Sequence, residues 1–250
     1  MIILEGKGLC KTYRRGGRSV QALTDVDFKL AEGEILGVVG ESGSGKSTLL
    51  RQISGLEAPD AGELRLYGKP LGTRRTREDY RTMQMIFQDA VGSFHPRRKI
   101  AASIRETVRS LRGREARFDL GELASLVGLS AELAERYPRD LSGGQCQRFA
   151  IARALAVDPK ILLCDEITSA LDVSSQAQVL QLLADICRER KLSALFVSHD
   201  LAVVSTICDR VMVMHRGRVV EEDNIRAVID TPRNEYTKQL IGSVLEIRQT

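Results

Sequence analysis

The chain has 250 residues, 43% of them hydrophobic and 28% charged, with a formal net charge of +4 at pH 7. That length suits one large domain or a domain with a subdomain, and the composition excludes a disordered, collagen-like or fibrous protein. No apolar run approaches the ~18–20 residues that span a membrane, and the opening MIILEGKGLC meets a glutamate at once, so neither a membrane helix nor a signal peptide is predicted and the chain is expected in the cytosol.

Residues 1–30 alternate apolar and polar positions around the turn RRGGRS, which predicts antiparallel strands and a hairpin-like loop. A buried strand, EILGVV (Glu34 to Val39), follows. Directly after it, GESGSGKST fits G-x-x-x-x-G-K-[ST] at a strand-to-helix junction, the context this phosphate-binding motif requires. Gly40, Glu41, Ser42, Gly43, Ser44, Gly45, Lys46, Ser47 and Thr48 are therefore the candidate nucleotide-binding residues. The glycines let backbone N–H groups turn inward around phosphates. Lys46 supplies a point charge to the β- and γ-phosphates of a nucleotide, and the Ser47 hydroxyl is a ligand for Mg²⁺.

Arginines cluster at Arg74, Arg75, Arg77 and Arg81, and again from Arg105 to Arg117. They read as a solvated basic face, with attraction to nucleic acid or anionic lipid as the alternatives. From about 90 to 140 the chain is charged and helix-patterned, broken at Gly92, Pro96, Gly113 and Pro138, which predicts a helical subdomain inserted in an α/β core. LSGGQ, Leu141 to Gln145, then opens a helical pattern in which Ala150, Ile151, Ala154, Leu155 and Val157 recur at near-helical spacing. Ser142 and Gln145 fit the S-x-x-Q capping box, and a helix N-terminus is also a ready site for an anion.

KILLCD and SALFVS have the length and continuity of strands buried on both faces. The first delivers Asp165 and Glu166 to its C-terminal end, where parallel sheets place ligands. Asp165 is assigned to Mg²⁺ through its water shell, and Glu166 to polarising the water that attacks the γ-phosphate. Between these strands, Val173, Ala177, Leu180, Leu183 and Ile186 predict a helix with one face packed on the sheet. LFVSHD places His199 at the end of the second strand, which adjacent-strand order would bring beside Glu166. RVMVMHRGRVVEE, with a turn at Gly217, reads as a hairpin. Cys10, Cys146, Cys164, Cys187 and Cys208 include no C-x-x-C pair, which argues for reduced structural thiols and against a metal site.

Phosphate loop, helical insertion, LSGGQ, Asp–Glu strand, SALD and histidine strand occur in the order of the ATP-binding-cassette (ABC) ATPases, which the chain resembles over essentially its whole length. The resemblance implies a P-loop α/β core with a mostly parallel sheet, an N-terminal antiparallel β-subdomain and an inserted helical subdomain. It implies one cassette domain over 1–250, with core and β-subdomain at about 1–88 and 155–230, helical subdomain at about 89–154, and a helical tail at 231–250. It further implies that Leu141, Ser142, Gly143, Gly144 and Gln145 hold the γ-phosphate of ATP bound to the partner cassette of a head-to-tail dimer. Tyr13 resembles the aromatic that stacks on adenine. Gln88 in MIFQD resembles the glutamine that touches Mg²⁺, and Ser169, Ala170, Leu171 and Asp172 resemble the D-loop that couples the two sites. The family commonly reads DEPTSALD where this chain has DEITSALD, so Ile167 replaces a proline that would stiffen the turn after Glu166. Cys146 stands where longer polar side chains are usual.

FQDAVGSFHPRRKIAASIRE and TPRNEYTKQLIGSVL resemble segments of the ATPase subunits of peptide and nickel importers, with His95 for an asparagine in the first and Asn234 and Glu235 for histidine and proline in the second. The resemblance implies an ATPase powering a binding-protein-dependent importer of short peptides, nickel or a metal chelate at the cytoplasmic face of the bacterial plasma membrane. Its implied partners are a second, similar but distinct ATPase subunit (or a second copy of the chain), two permeases gripped near Phe94 to Glu106, and an extracytoplasmic substrate-binding protein, with no nucleic acid. The alternatives are an exporter or lipoprotein-extraction ATPase, and a soluble cassette acting on nucleic acid or ribosomes.

Overall fold

Alternating residues at the N-terminus form two 14-residue strands, β1 (Ile2–Arg15) and β2 (Arg18–Ala31), paired antiparallel in the predicted manner. The computed structural model describes residues 1–16 and 18–247, and divides them into one unit of Met1–Arg75 with Lys191 onward and a second of Thr76–Arg190. In the first unit β1 also pairs antiparallel with β4 (Ala61–Leu66), which pairs with the short β5 (Lys69–Pro70), completing a four-stranded antiparallel sheet.

The strand predicted at EILGVV is β3 (Ile35–Val39), and α1 (Lys46–Ser54) follows the phosphate loop. Every residue of β3 is buried, as a strand covered on both faces requires.

The second unit opens with α2 (Arg77–Thr82), capped by a Thr76–Asp79 capping box, and β6 (Met83–Ile86). Then come α3 (Ile100–Arg112), α4 (Leu120–Leu126) and α5 (Gly143–Leu155), β7 (Ile161–Asp165) and the 18-residue α6 (Val173–Arg190). Gly113 ends α3, and Pro138 starts a short 3₁₀ turn, as their breaker chemistry predicts. The strands β6 and β7 run parallel, and α5 packs on β6, α3, α4 and α6. The helices expected over 89–154 thus share their unit with β6, β7 and α6.

One expectation needs correction. Val179, Leu180, Leu183, Ala184, Ile186 and Cys187 of α6 are buried, but Ala177 is exposed and Val173 is 86% exposed. The apolar stripe therefore packs only over the last three turns, because the first turns of α6 leave the core just beyond the loop at Asp172.

Back in the first unit, β8 (Ser193–Ser198), α7 (Leu201–Ile207), β9 (Arg210–His215), β10 (Arg218–Asn224), α8 (Ile225–Asp230) and α9 (Glu235–Ile247) complete the chain. β3 lies between β8 and β9 and is parallel to both, while β10 returns antiparallel to β9 through the predicted Gly217 turn. Leu36, Val38, Val39, Leu195, Phe196, Val197, Val211 and Val213 form its dry centre.

Candidate functional site

In the first unit the phosphate loop is shaped largely by its own main chain. Gly40 has φ 152°, and a Cβ there would lie 2.1 Å from the Met214 carbonyl oxygen. Gly45 has φ 107°, and a Cβ would meet the Ala22 carbonyl at 2.5 Å, so both turns exclude side chains. The Ser44 N–H donates to Glu41 O at 3.1 Å, and the Gly217 N–H donates to Ser44 O at 3.0 Å. Lys46, only 4% exposed, donates from Nζ to Gly40 O at 2.6 Å and Glu41 O at 2.9 Å, drawing the loop around its own ammonium.

The helix that starts here has no side-chain N-cap and no acidic residue in its first turn. Its positive dipole end is left for an anion, and the Lys46 charge sits in the same turn. Ser44 Oγ is buried without a hydrogen-bond partner, which a phosphate oxygen would satisfy. The loop therefore fits a nucleotide phosphate on three separate counts.

Tyr13, on β1, keeps 37% of its surface exposed while its hydroxyl donates to the Glu57 carboxylate, so the phenol is tethered at one end with ring surface left open. His199 follows β8 and is exposed, ahead of Asp200, whose carboxylate caps α7 by accepting the Ala202 N–H at 2.8 Å.

In the second unit Asp165 ends β7, and Glu166 follows with φ 45°, a left-handed conformation uncommon for a residue with a side chain. Gln88 donates from Nε2 to Ser169 Oγ at 3.1 Å, with Glu166 Oε2 at 3.4 Å, and the Ser169 hydroxyl donates to Glu166 O at 3.0 Å. The predicted glutamine and the predicted carboxylate are thus joined through Ser169, a link that sequence spacing does not reveal.

Asp172 accepts from the Ser175 N–H at 2.9 Å and hydroxyl at 2.7 Å, which closes the start of α6. These hydrogen bonds hold its carboxyl below the usual range. The capping box at LSGGQ is complete: the Gln145 N–H donates to Ser142 Oγ at 3.2 Å and the Ser142 N–H donates to Gln145 Oε1 at 3.0 Å. Cys146 is fully buried, with Sγ 3.3 Å from Pro138 O, so the position is a packed one that holds a small thiol. Burial pushes the thiol pKa up, which keeps it protonated and unreactive.

A cleft of about 320 Å³ in this unit is lined by Gln88, Gly143, Gln147, Ile167 and Leu171, among others. The glutamine after β6, the loop after Glu166 and the start of α5 therefore border one space. Ile167 is 1% exposed there. Proline at 167 would push Glu166 toward extended backbone, against its left-handed φ. Ile167→Pro is expected to change ATP turnover several-fold while ATP affinity stays within about twofold, because Ile167 lies outside the phosphate loop. Calorimetric titration with Mg-ATP beside a phosphate-release assay checks this, and a large loss of affinity would contradict it.

A glycine-lined loop between a buried parallel strand and an uncapped helix, closed by a buried lysine, defines a P-loop nucleotide-binding protein. The family model described as ABC transporter matches residues 23–169, and the chain belongs to that family. It is 45% identical over 249 residues to the oligopeptide transport ATP-binding protein OppF of Salmonella typhimurium, spanning 97% of this chain and 74% of the relative. Its identity to the Haemophilus influenzae protein of the same name is also 45%, over 91% of this chain and 70% of that one. Among solved structures, a dimeric ATP-binding cassette in a post-hydrolysis state bound to ADP and Pi superimposes with a TM-score of 0.78 at 29% identity, covering 90% of this chain and 99% of that one.

Proposed function

We propose that this chain is the ATP-hydrolysing subunit of a binding-protein-dependent importer of oligopeptides. The observation that carries this reading is the 45% identity to an oligopeptide transport ATP-binding protein across 97% of the chain. No helix among the described residues is long and apolar enough to cross a membrane. On this reading partner permeases form the transport path, and this chain sits against them at the cytoplasmic face of the plasma membrane. Two cassettes act together, this chain with a similar but distinct one.

Each residue takes a role set by its chemistry. Lys46 and the backbone of residues 40–48 hold the ATP phosphates, and the exposed ring of Tyr13 stacks on adenine. Ser47, Asp165 and Gln88 present oxygen donors of the hard type that Mg²⁺ prefers. When bound, Mg²⁺ neutralises phosphate charge. Glu166 takes the proton of the attacking water, His199 hydrogen-bonds the γ-phosphate, and residues 141–145 complete the partner cassette's site. Residues 169–172 couple the two sites.

The helical segment 89–154 is the permease-facing subdomain. Phe94 is buried beneath the Arg153 guanidinium, 4.3 Å from its ring centroid, so it supports the surface from below. The docking face is the cleft lined by Tyr80, His95, Ser103, Glu106 and Thr107.

Isolation of the chain from native membranes in mild detergent tests the reading. Two permeases, a second cassette and a substrate-binding protein that takes up peptides are the expected companions. Recovery with ribosomes or nucleic acid would overturn the transport role, and a binding protein loaded with nickel would overturn the cargo.

A further inference from the structure

The phosphate loop is held from outside by a residue that follows it by 195 positions. The main-chain N–H of Glu41, the second residue of the loop, donates to the phenolic oxygen of Tyr236 at 2.9 Å. Tyr236 belongs to the first turn of α9, and its ring lies 3.9 Å from the ring of His215, centroid to centroid, at an interplanar angle of 43°. His215 ends β9 immediately before the Arg216–Gly217 turn, and the Gly217 N–H holds Ser44 O. Both outer contacts of the loop therefore converge on one corner of the first unit, where the β9–β10 turn meets the start of α9.

That start is fixed in turn. Glu221 on β10 accepts the N–H groups of Arg233 and Asn234 at 2.8 and 3.1 Å, and Asn234 Oδ1 accepts the Tyr236 N–H at 2.9 Å. Tyr236 therefore stands on a hydrogen-bonded footing rather than on a fraying terminus. Glu41 also gives its carbonyl to Lys46 Nζ and to the Ser44 N–H. Its N–H and C=O are both engaged within the protein, so its main chain sets the position of the lysine that the phosphates meet.

We infer that Tyr236 is a positioning residue for the phosphate loop, through which α9 sets the affinity for nucleotide. The inference rests on the ATPase reading. The linkage is reciprocal: if α9 holds the loop in its phosphate-binding shape, bound nucleotide stabilises the docked α9 by the same factor. The phenol stays neutral at physiological pH, since burial pushes its pKa upward, so the acceptor oxygen is unchanged across the working range.

The test is Tyr236→Phe in the full chain, which deletes the acceptor and keeps the ring on His215. Loss of one hydrogen bond to the loop predicts a rise in the Kd for Mg-ATP, and in the KM for ATP, of about fivefold with kcat unchanged. The Glu41 amide should also exchange with deuterium faster in the variant, and Mg-ATP should slow exchange in the first turn of α9 in the parent and less so in the variant. His215→Ala, which removes the stacked ring and leaves the hydroxyl, should weaken ATP binding less than Tyr236→Phe. Equal ATP affinity and equal Glu41 exchange in parent and Tyr236→Phe would overturn the inference while leaving the ATPase reading intact. A parent chain that binds no ATP would instead remove the reading on which it rests.

Discussion

Glu166→Gln is expected to lower ATP turnover by about 10²–10⁴-fold, the range that loss of a general base produces, and to leave Mg-ATP bound in a cassette dimer. Glutamine matches the volume of glutamate and still offers Gln88 Nε2 an acceptor, so the link through Ser169, now at 3.1 and 3.0 Å, should survive. What is lost is the capacity to take a proton from water, because an amide cannot act as a base at neutral pH. The left-handed backbone at Glu166 is tolerated no worse by glutamine, so folding should be unaffected. Size-exclusion chromatography in Mg-ATP beside a phosphate-release assay reads both effects. Normal turnover from a species that stays monomeric would remove Glu166 from its role.

How much of this was legible in the sequence depends on the range of the interaction concerned. The strands at 35–39, 161–165 and 193–198 were readable because continuous apolar runs of that length are too short for an ordinary helix and suit a strand buried on both faces. The Ser142–Gln145 capping box was readable because its partners are three residues apart and its chemistry is complete in one turn. Val173 misled because apolar spacing reports a face but not where a helix leaves the core. The Gln88–Ser169 link was hidden by 81 residues of separation, and both side chains are common in loops. Tyr236 was hidden more thoroughly: a tyrosine whose hydroxyl accepts a main-chain N–H has no sequence partner type, since any residue but proline at 41 offers the same donor. The division at Arg75 and at Arg190 likewise follows tertiary packing, which no change of composition along the chain announces.

Lys46→Ala is expected to weaken Mg-ATP binding by about 10- to 100-fold, since hydrogen bonds to charged groups contribute about 1.5–3 kcal/mol each. In the proposed role the lysine acts twice, once on the loop, where it donates to Gly40 O and Glu41 O, and once on the phosphates of bound ATP. Alanine removes both actions, and thermal unfolding without nucleotide isolates the first. A modest change in Tm with a large change in ATP affinity places most of the effect on the phosphates. Lys46→Arg is the sharper comparison. At 4% exposure the site has little room beyond the ammonium, and a planar guanidinium with a fixed fork of donors cannot point at two loop carbonyls and a phosphate at once. Arginine should therefore preserve the charge without restoring affinity. If Lys46→Arg bound Mg-ATP as tightly as the parent, charge alone would account for the lysine, and the closure of the loop around its ammonium would have no part in nucleotide binding.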